Sequence, residues 1–183
     1  MVGPETPPEF SHPVKFGELG SRPYEAALEA DEAERTALAA RFDCLSLDTL
    51  TADLEAVREG DVVRVTGGLA AKGTQACIAT GDPVPFAIDE PIELLFVPVP
   101  KGGDPEEEVE LAEDELDSLF HDGRTVDLGE AAAQSFGLAL DPYPRSEGAA
   151  EALAEAGVIG EDEVEPKGAL SGLKAMLEGK GKG

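Results

Sequence analysis

Tryptophan is absent from this 183-residue chain, and tyrosine, histidine, cysteine and methionine occur only twice each. With aromatic residues at 5%, the chain lacks the interleaved exposed rings on which a single-stranded RNA platform stacks bases. Cys44 and Cys77 form no CxxC pair, and so bare a count suggests a reducing compartment. His12 and His121 have no neighbours at zinc-ligand spacing; His12 reads as an exposed residue before a proline, and His121 as a turn residue before Asp122-Gly123. Nucleophile-elbow, dinucleotide-fold and P-loop patterns are all missing. Gly67-Gly68 and Lys101-Gly102-Gly103 match neither glycine-rich phosphate motif and read as turns or strand kinks. No stretch reaches the roughly 20 apolar residues of a membrane helix. The first twenty residues hold neither a basic n-region nor an apolar core. These gaps lead us to expect a soluble, cytoplasmic protein with no catalytic centre, cofactor or metal.

Basic residues are also scarce. Fourteen Lys and Arg face 39 Asp and Glu, for a formal charge of −25. Nucleic-acid affinity rests mainly on neutralising phosphates, and an anionic membrane surface attracts the same cations. A chain this acidic is repelled by both at long range and favours basic partners.

What is present reads as one α+β domain over residues 12–145. A flexible N-terminus covers residues 1–11. A linker, a short amphipathic helix and a flexible basic tail occupy residues 146–183. Short strands are expected at Pro13–Glu18 and Tyr24–Ala30. Asp31 with Glu34 three residues on is a capping box, opening a helix to about Phe42 with Ala37, Leu38 and Phe42 inward. Period-two alternation then takes over at Leu50, Ala52, Leu54 and Ala56, and again at Val63, Val65 and Leu69. Glu59-Gly60-Asp61 and Lys72-Gly73 read as turns, with a short strand over Gln75–Thr80 that holds Cys77 in the core. Phe86, Ile88, Ile92, Leu94 and Phe96 continue the alternation. The expected fold is an antiparallel meander or partly closed barrel of about five to seven strands, with two main helices packed on it. The second helix starts at Asp127, with Glu130 as its box partner, and puts Leu128, Ala131, Ala132, Ser135 and Phe136 on one stripe. Short helices are expected at Ala149–Ala156 and, at the C-terminus, Leu170–Leu177.

Two features bear on function. Residues 104–117 carry nine acids and no base. The last stretch, Lys167–Gly183, carries four lysines against one glutamate.

Several stretches, taken in order, resemble the YceD-like family of large-subunit ribosomal RNA accumulation proteins, in the form found in alphaproteobacteria. They are Glu9-Phe10-Ser11-His12-Pro13-Val14; Glu34-Arg35 with Leu38-Ala39 and Arg41-Phe42; and Gln75-Ala76-Cys77-Ile78-Ala79-Thr80 with Pro83-Val84-Pro85. Asp89-Glu90-Pro91 leading into Leu95-Phe96-Val97-Pro98 follows. Val126-Asp127-Leu128-Gly129-Glu130-Ala131 with Leu138-Ala139-Leu140-Asp141-Pro142-Tyr143-Pro144-Arg145 is the most specific. The resemblance implies an α+β fold and a role in making or protecting large-subunit ribosomal RNA, with no known enzymatic activity. The gammaproteobacterial branch bears a cysteine segment near its C-terminus. No cysteine follows Cys77 here, so no metal or redox role carries over.

Three functions are weighed. The first is an acidic adaptor that binds a basic ribosomal protein, assembly factor or RNA-processing factor. Its contact surface would be Asp104, Glu106, Glu107, Glu108, Glu110, Glu113 and Asp114, together with the corner at Tyr143 and Arg145. The second is direct binding of structured RNA through a basic patch drawn from Arg58, Arg64, Lys72 and Lys174. The third is a metal-dependent hydrolase using Asp114, Asp117 and Asp122, which needs carboxylates converging in a dry cavity.

Overall fold

The computed structural model describes residues 8–99 and 118–158. The acidic stretch from Asp104 to Asp117, Lys174 and the expected helix at Leu170–Leu177 lie outside these residues.

The first elements among the described residues are a three-residue strand, β1 (Pro13–Lys15), and a single 3-10 turn at Phe16–Glu18. The expected strand over Pro13–Glu18 is therefore shorter, because Phe16 turns inward and its N–H bonds to the Arg124 carbonyl at 2.8 Å. Strand β2 (Tyr24–Glu29) leads to helix α1 (Glu32–Arg41). The capping box at α1 is formed in both directions: Glu34 N–H bonds to Asp31 Oδ1 at 2.9 Å, and Asp31 N–H to Glu34 Oε2 at 2.8 Å. Past the helix, Asp43 takes a left-handed conformation (φ 54°) that turns the chain back into the sheet.

Three long strands make the body of the fold: β3 (Cys44–Glu59), β4 (Val62–Ala76) and β5 (Pro83–Pro98). Gly60 (φ 66°) is the first residue of the two-residue β3–β4 loop, a position that suits glycine in a hairpin. Strand β4 runs straight through Lys72-Gly73, which the sequence reading takes as a turn. Glycine stands at 73 for a different reason. A Cβ there would collide with the Ser46 carbonyl on β3 and lie 2.7 Å from the Phe86 ring on β5. The turn comes later, at Cys77–Thr80, where a strand was expected. Cys77 is buried as expected, but it sits in that turn and not in the strand.

After residue 117 come β6 (Ser118–His121), β7 (Thr125–Asp127), α2 (Leu128–Ala139) and the short α3 (Ala149–Glu155). The main sheet has the order β2-β3-β4-β5-β6, and β1 pairs with β7 in a separate two-stranded ladder. All pairings are antiparallel except β5–β6. The sheet is open, with β2 and β6 at its edges, so the partly closed barrel is not formed; the meander is.

The register explains the layering. Ala56, Val65 and Leu94 stand side by side across β3, β4 and β5, as do Ala52 with Leu69 and Leu50 with Ala71. Side chains alternate faces along a strand, so these residues share one face. All are buried, and they form one cluster with Leu38 of α1 and Leu128, Ala131, Ala132 and Phe136 of α2. Phe136 anchors it, edge-on to Phe42 at 5.4 Å and near Phe86 at 6.0 Å.

Asp127 ties Ser11 and His12 to helix α2. Its Oδ1 accepts from Glu130 N–H at 3.1 Å, capping α2, and from His12 N–H at 2.7 Å. Its Oδ2 accepts from the Ser11 hydroxyl at 2.6 Å. The cap is the expected one, but the expected box is not formed. The Glu130 carboxylate turns to Arg41, whose charge makes a stronger partner than a neutral amide.

Candidate interaction surface

The opposite face of the main sheet carries no helix among the described residues. Alternation places Glu25, Ala27 and Glu29 of β2 on it, then Thr51, Asp53 and Glu55 of β3. Arg64, Thr66, Ala70 and Lys72 of β4 follow, with Asp89, Pro91 and Glu93 of β5. All are exposed except half-buried Thr66. Six are acidic and two are basic, and one of the two bases, Arg64, is held by Glu93 at 3.1 Å. The register lines up Glu25, Glu55, Thr66 and Glu93 in one row across four strands. Glu25 directly faces Glu55, and like charges in that position repel. A depression of about 600 Å³ opens beside this row, bounded by Glu25, Asp53, Glu55, Thr66 and Gly67. At Gly67 the backbones of β3 and β4 come close: its φ is +157°, and a Cβ would run into the Asp53 carbonyl.

A second feature is the corner after α2. The Gln75 amide donates to the Asp141 carbonyl at 3.0 Å, and Ile78 N–H bonds to the Pro144 carbonyl at 2.9 Å. Those bonds fix the Asp141–Pro144 segment against the end of β4 and leave Tyr143 68% exposed, beside Ile78 at 51%. Arg145 is exposed next to them. This is the only part of the expected contact surface within the described residues. Its relation to Asp104, Glu106, Glu107, Glu108, Glu110, Glu113 and Asp114 falls outside them.

Among the described residues, Arg58, Arg64 and Lys72 do not come together as one basic patch, and Lys174 lies outside those residues. Arg58 is committed to the fold: its guanidinium lies 3.9 Å from the centre of the Phe16 ring, and it donates to the Gly60 and Phe16 carbonyls. Arg64 is paired with Glu93. Lys72 is eight residues along β4 from Arg64, roughly 27 Å away at a strand rise of about 3.4 Å per residue.

The carboxylate cluster fares no better within the described residues. Asp122 spends its oxygens inside its own turn, accepting from Arg124 N–H at 2.8 Å. That bond, with the Arg124 charge adding a smaller pull, holds its carboxyl below the usual range. Among the described residues no three His, Cys, Asp or Glu side chains converge as metal ligands. Among the described residues, the wall of a cavity of about 360 Å³ between β5, β6 and α2 has Glu90 and Glu93 as its ionisable members.

The histidines are not where the sequence reading puts them. His12 is half-buried, with its N–H on Asp127 and its carbonyl accepting from Leu128 N–H at 3.0 Å. His121 is buried and not a turn residue. Its ring stacks on Phe16 at 4.8 Å. Nδ1 accepts from Gly123 N–H at 3.0 Å, so Nε2 carries the proton and donates to the Asp61 carbonyl at 2.8 Å. Arg58, Phe16 and His121 thus form a stack that fastens β6 to the β3–β4 hairpin.

The two thiols differ. Hydrogen bonds from the Ser146 hydroxyl, the Ser146 N–H and the Thr80 hydroxyl bring Cys77 down to about 6, against the upward push of burial. Burial, and then the charge of Asp43, push Cys44 up.

No helix among the described residues is long and apolar enough to cross a membrane. The family model described as Large ribosomal RNA subunit accumulation protein YceD matches residues 65–175. It spans β4, β5, β6, β7, α2 and α3 and more than half of the chain, so the chain belongs to that family. No curated protein and no solved structure matches it.

Proposed function

We propose that this member of the YceD family supports accumulation of large-subunit ribosomal RNA as an acidic adaptor in the cytoplasm, acting by binding a basic protein and not by chemistry of its own. The family description supplies the ribosomal RNA. The exposed sheet face supports this mode: its acids outnumber its bases six to two, and Glu25 faces Glu55 across β2 and β3. A surface that opposes Glu to Glu keeps a standing repulsion, which a cationic partner relieves on docking. Ribosomal proteins and RNA-processing factors are basic because they bind phosphate, so they fit this potential. We include the acids at Asp104–Asp114 and the Tyr143–Arg145 corner as further proposed contacts for the same partner.

Depletion of the protein, followed by measurement of the ratio of mature large- to small-subunit ribosomal RNA, tests the role. Recovery of proteins bound to the tagged chain at low and high salt tests the mode. The expected result is a fall in large-subunit RNA and salt-sensitive recovery of a basic ribosomal or processing protein. An unchanged ratio, or recovery of RNA with no such protein, defeats the adaptor reading. The second outcome would favour direct RNA binding, for which Lys72 is exposed while Arg58 and Arg64 are engaged by Phe16 and Glu93.

A further inference from the structure

The two edges of the main sheet are built differently. In an antiparallel ladder, facing residues alternate between pairs that exchange both backbone hydrogen bonds and pairs that exchange none. Ala30 N–H donates to the Leu50 carbonyl at 3.0 Å, which sets the phase for β2 and β3. Tyr24, Ala26 and Leu28 are then bonded to β3, while Glu25, Ala27 and Glu29 point their N–H and C=O groups away from the sheet. The same alternation, carried across the sheet, turns Pro83, Pro85 and Pro91 of β5 toward its far side. Those prolines have no N–H to offer a new strand, and β6 covers only the stretch from Leu95 to Pro98. The β5 side is blocked by the usual means of protecting an edge. Strand β2 has no proline between Tyr24 and Glu29, and in the described residues it pairs with β3 alone.

The charge on β2 selects what can use that edge. Glu25 and Glu29 repel a second copy of the same acidic strand. They attract a strand whose side chains on that face are cationic. Glu25 and Glu55 form a pair without mutual backbone bonds, the kind in which side chains come closest, and the depression beside them adjoins the edge. We propose that the free edge of β2 receives an extended, lysine- or arginine-rich segment of a partner protein as a sixth strand. The new backbone bonds go to Glu25, Ala27 and Glu29. The cations on the outer face settle against Glu25, Glu29 and Glu55. This is strand addition, in which the backbone supplies affinity and alternate side chains supply specificity.

The inference rests on the adaptor reading for its partner class but is separable from it. The probe is an acetylated peptide of alternating lysine and valine, titrated into the whole chain, with amide exchange read residue by residue. Protection is expected to rise at Glu25, Ala27 and Glu29. Ala27→Pro removes an outward N–H without breaking a bond to β3, so it should fold and weaken the peptide about tenfold or more. Glu25→Lys should weaken it likewise while raising the melting temperature, a split that a purely structural role of Glu25 does not produce; this variant also serves if Ala27→Pro does not fold. Absence of peptide binding, binding without protection on β2, or equal binding by Ala27→Pro overturns the proposal. If the wild-type chain and Ala27→Pro recover the same basic ribosomal protein equally, the edge is dismissed and the adaptor stands. If the wild-type chain recovers no such protein yet binds the peptide along β2, the adaptor falls and the edge stands.

Discussion

Arg41 and Glu130, 89 residues apart in sequence, are joined by two hydrogen bonds of 2.8 and 2.7 Å between guanidinium and carboxylate. Arg41 ends α1 and Glu130 lies in the first turn of α2, so this pair binds the two main helices together. Arg41 also reaches Glu9 at 2.9 Å, which brings the N-terminal segment into the same contact. Replacing Arg41 with methionine keeps an unbranched stem and removes the guanidinium, with its bonds to Glu9 and Glu130 and its place 5.1 Å from the centre of the Phe42 ring. It should cost about 1–2 kcal/mol in denaturant unfolding, more than an exposed pair and less than a buried one.

That pair has a pH signature. Arg41, and then Gln134, hold the Glu130 carboxyl below its ordinary value of 4.5, against the opposing effect of burial. A carboxylate lowered in the folded state contributes stability that is full above the unfolded value and is lost as the pH falls through the folded one. Acid unfolding curves of the wild type and Arg41→Met should therefore differ at neutral pH and converge well below 4.5.

Asp127→Ala should be among the more damaging single changes. It deletes the cap of α2 and leaves the His12 and Glu130 amides and the Ser11 hydroxyl without their acceptor. The expected loss is about 2–4 kcal/mol by thermal or denaturant melting. A loss no larger than that of a surface substitution would show that the β1–β7 clasp contributes little.

The thiols should titrate in two separate steps. Ultraviolet absorbance of the thiolate should rise first near pH 6, for Cys77, and again above 9.0, for Cys44. Ser146→Ala removes the largest cause of the first shift and should move that step upward, while Cys44→Ser should delete the second step alone. Because Cys77 is lowered from 9.0 to about 6, its contribution to stability is full above 9.0 and fades as the pH falls through about 6.

Glu25→Lys tests the repulsion on the outer face. Opposite charges directly across a ladder stabilise by roughly 0.2–1 kcal/mol relative to neutral pairs, and like charges destabilise. Reversing Glu25 opposite Glu55 should therefore raise stability by about 0.5–1 kcal/mol at low salt, with a smaller gain at high salt.

What the sequence disclosed was local. The α1 box could be read because Asp31 and Glu34 are three residues apart, and the sheet's buried face because alternation needs no knowledge of partners. What it concealed depended on distant backbone. Gly73 looks like a turn residue, but it is required by the Ser46 carbonyl on the neighbouring strand. His121 looks like a turn residue until Phe16 and Asp61 close over it. Arg58 looks available for phosphate until the same phenyl ring takes it. The acidic row on the outer sheet was hidden for the same reason. Glu25 and Glu55 are ordinary surface residues until the β2–β3 register sets them face to face.

The clasp at Asp127 also sets a timetable for the newborn chain. Ser11 and His12 leave the synthesis machinery early, yet the carboxylate they need lies 116 and 115 residues downstream. At about 5–20 residues per second, they wait roughly 6–23 s before it exists. Until then β1 has no ladder to join, and the opening residues stay accessible to whatever meets nascent chains.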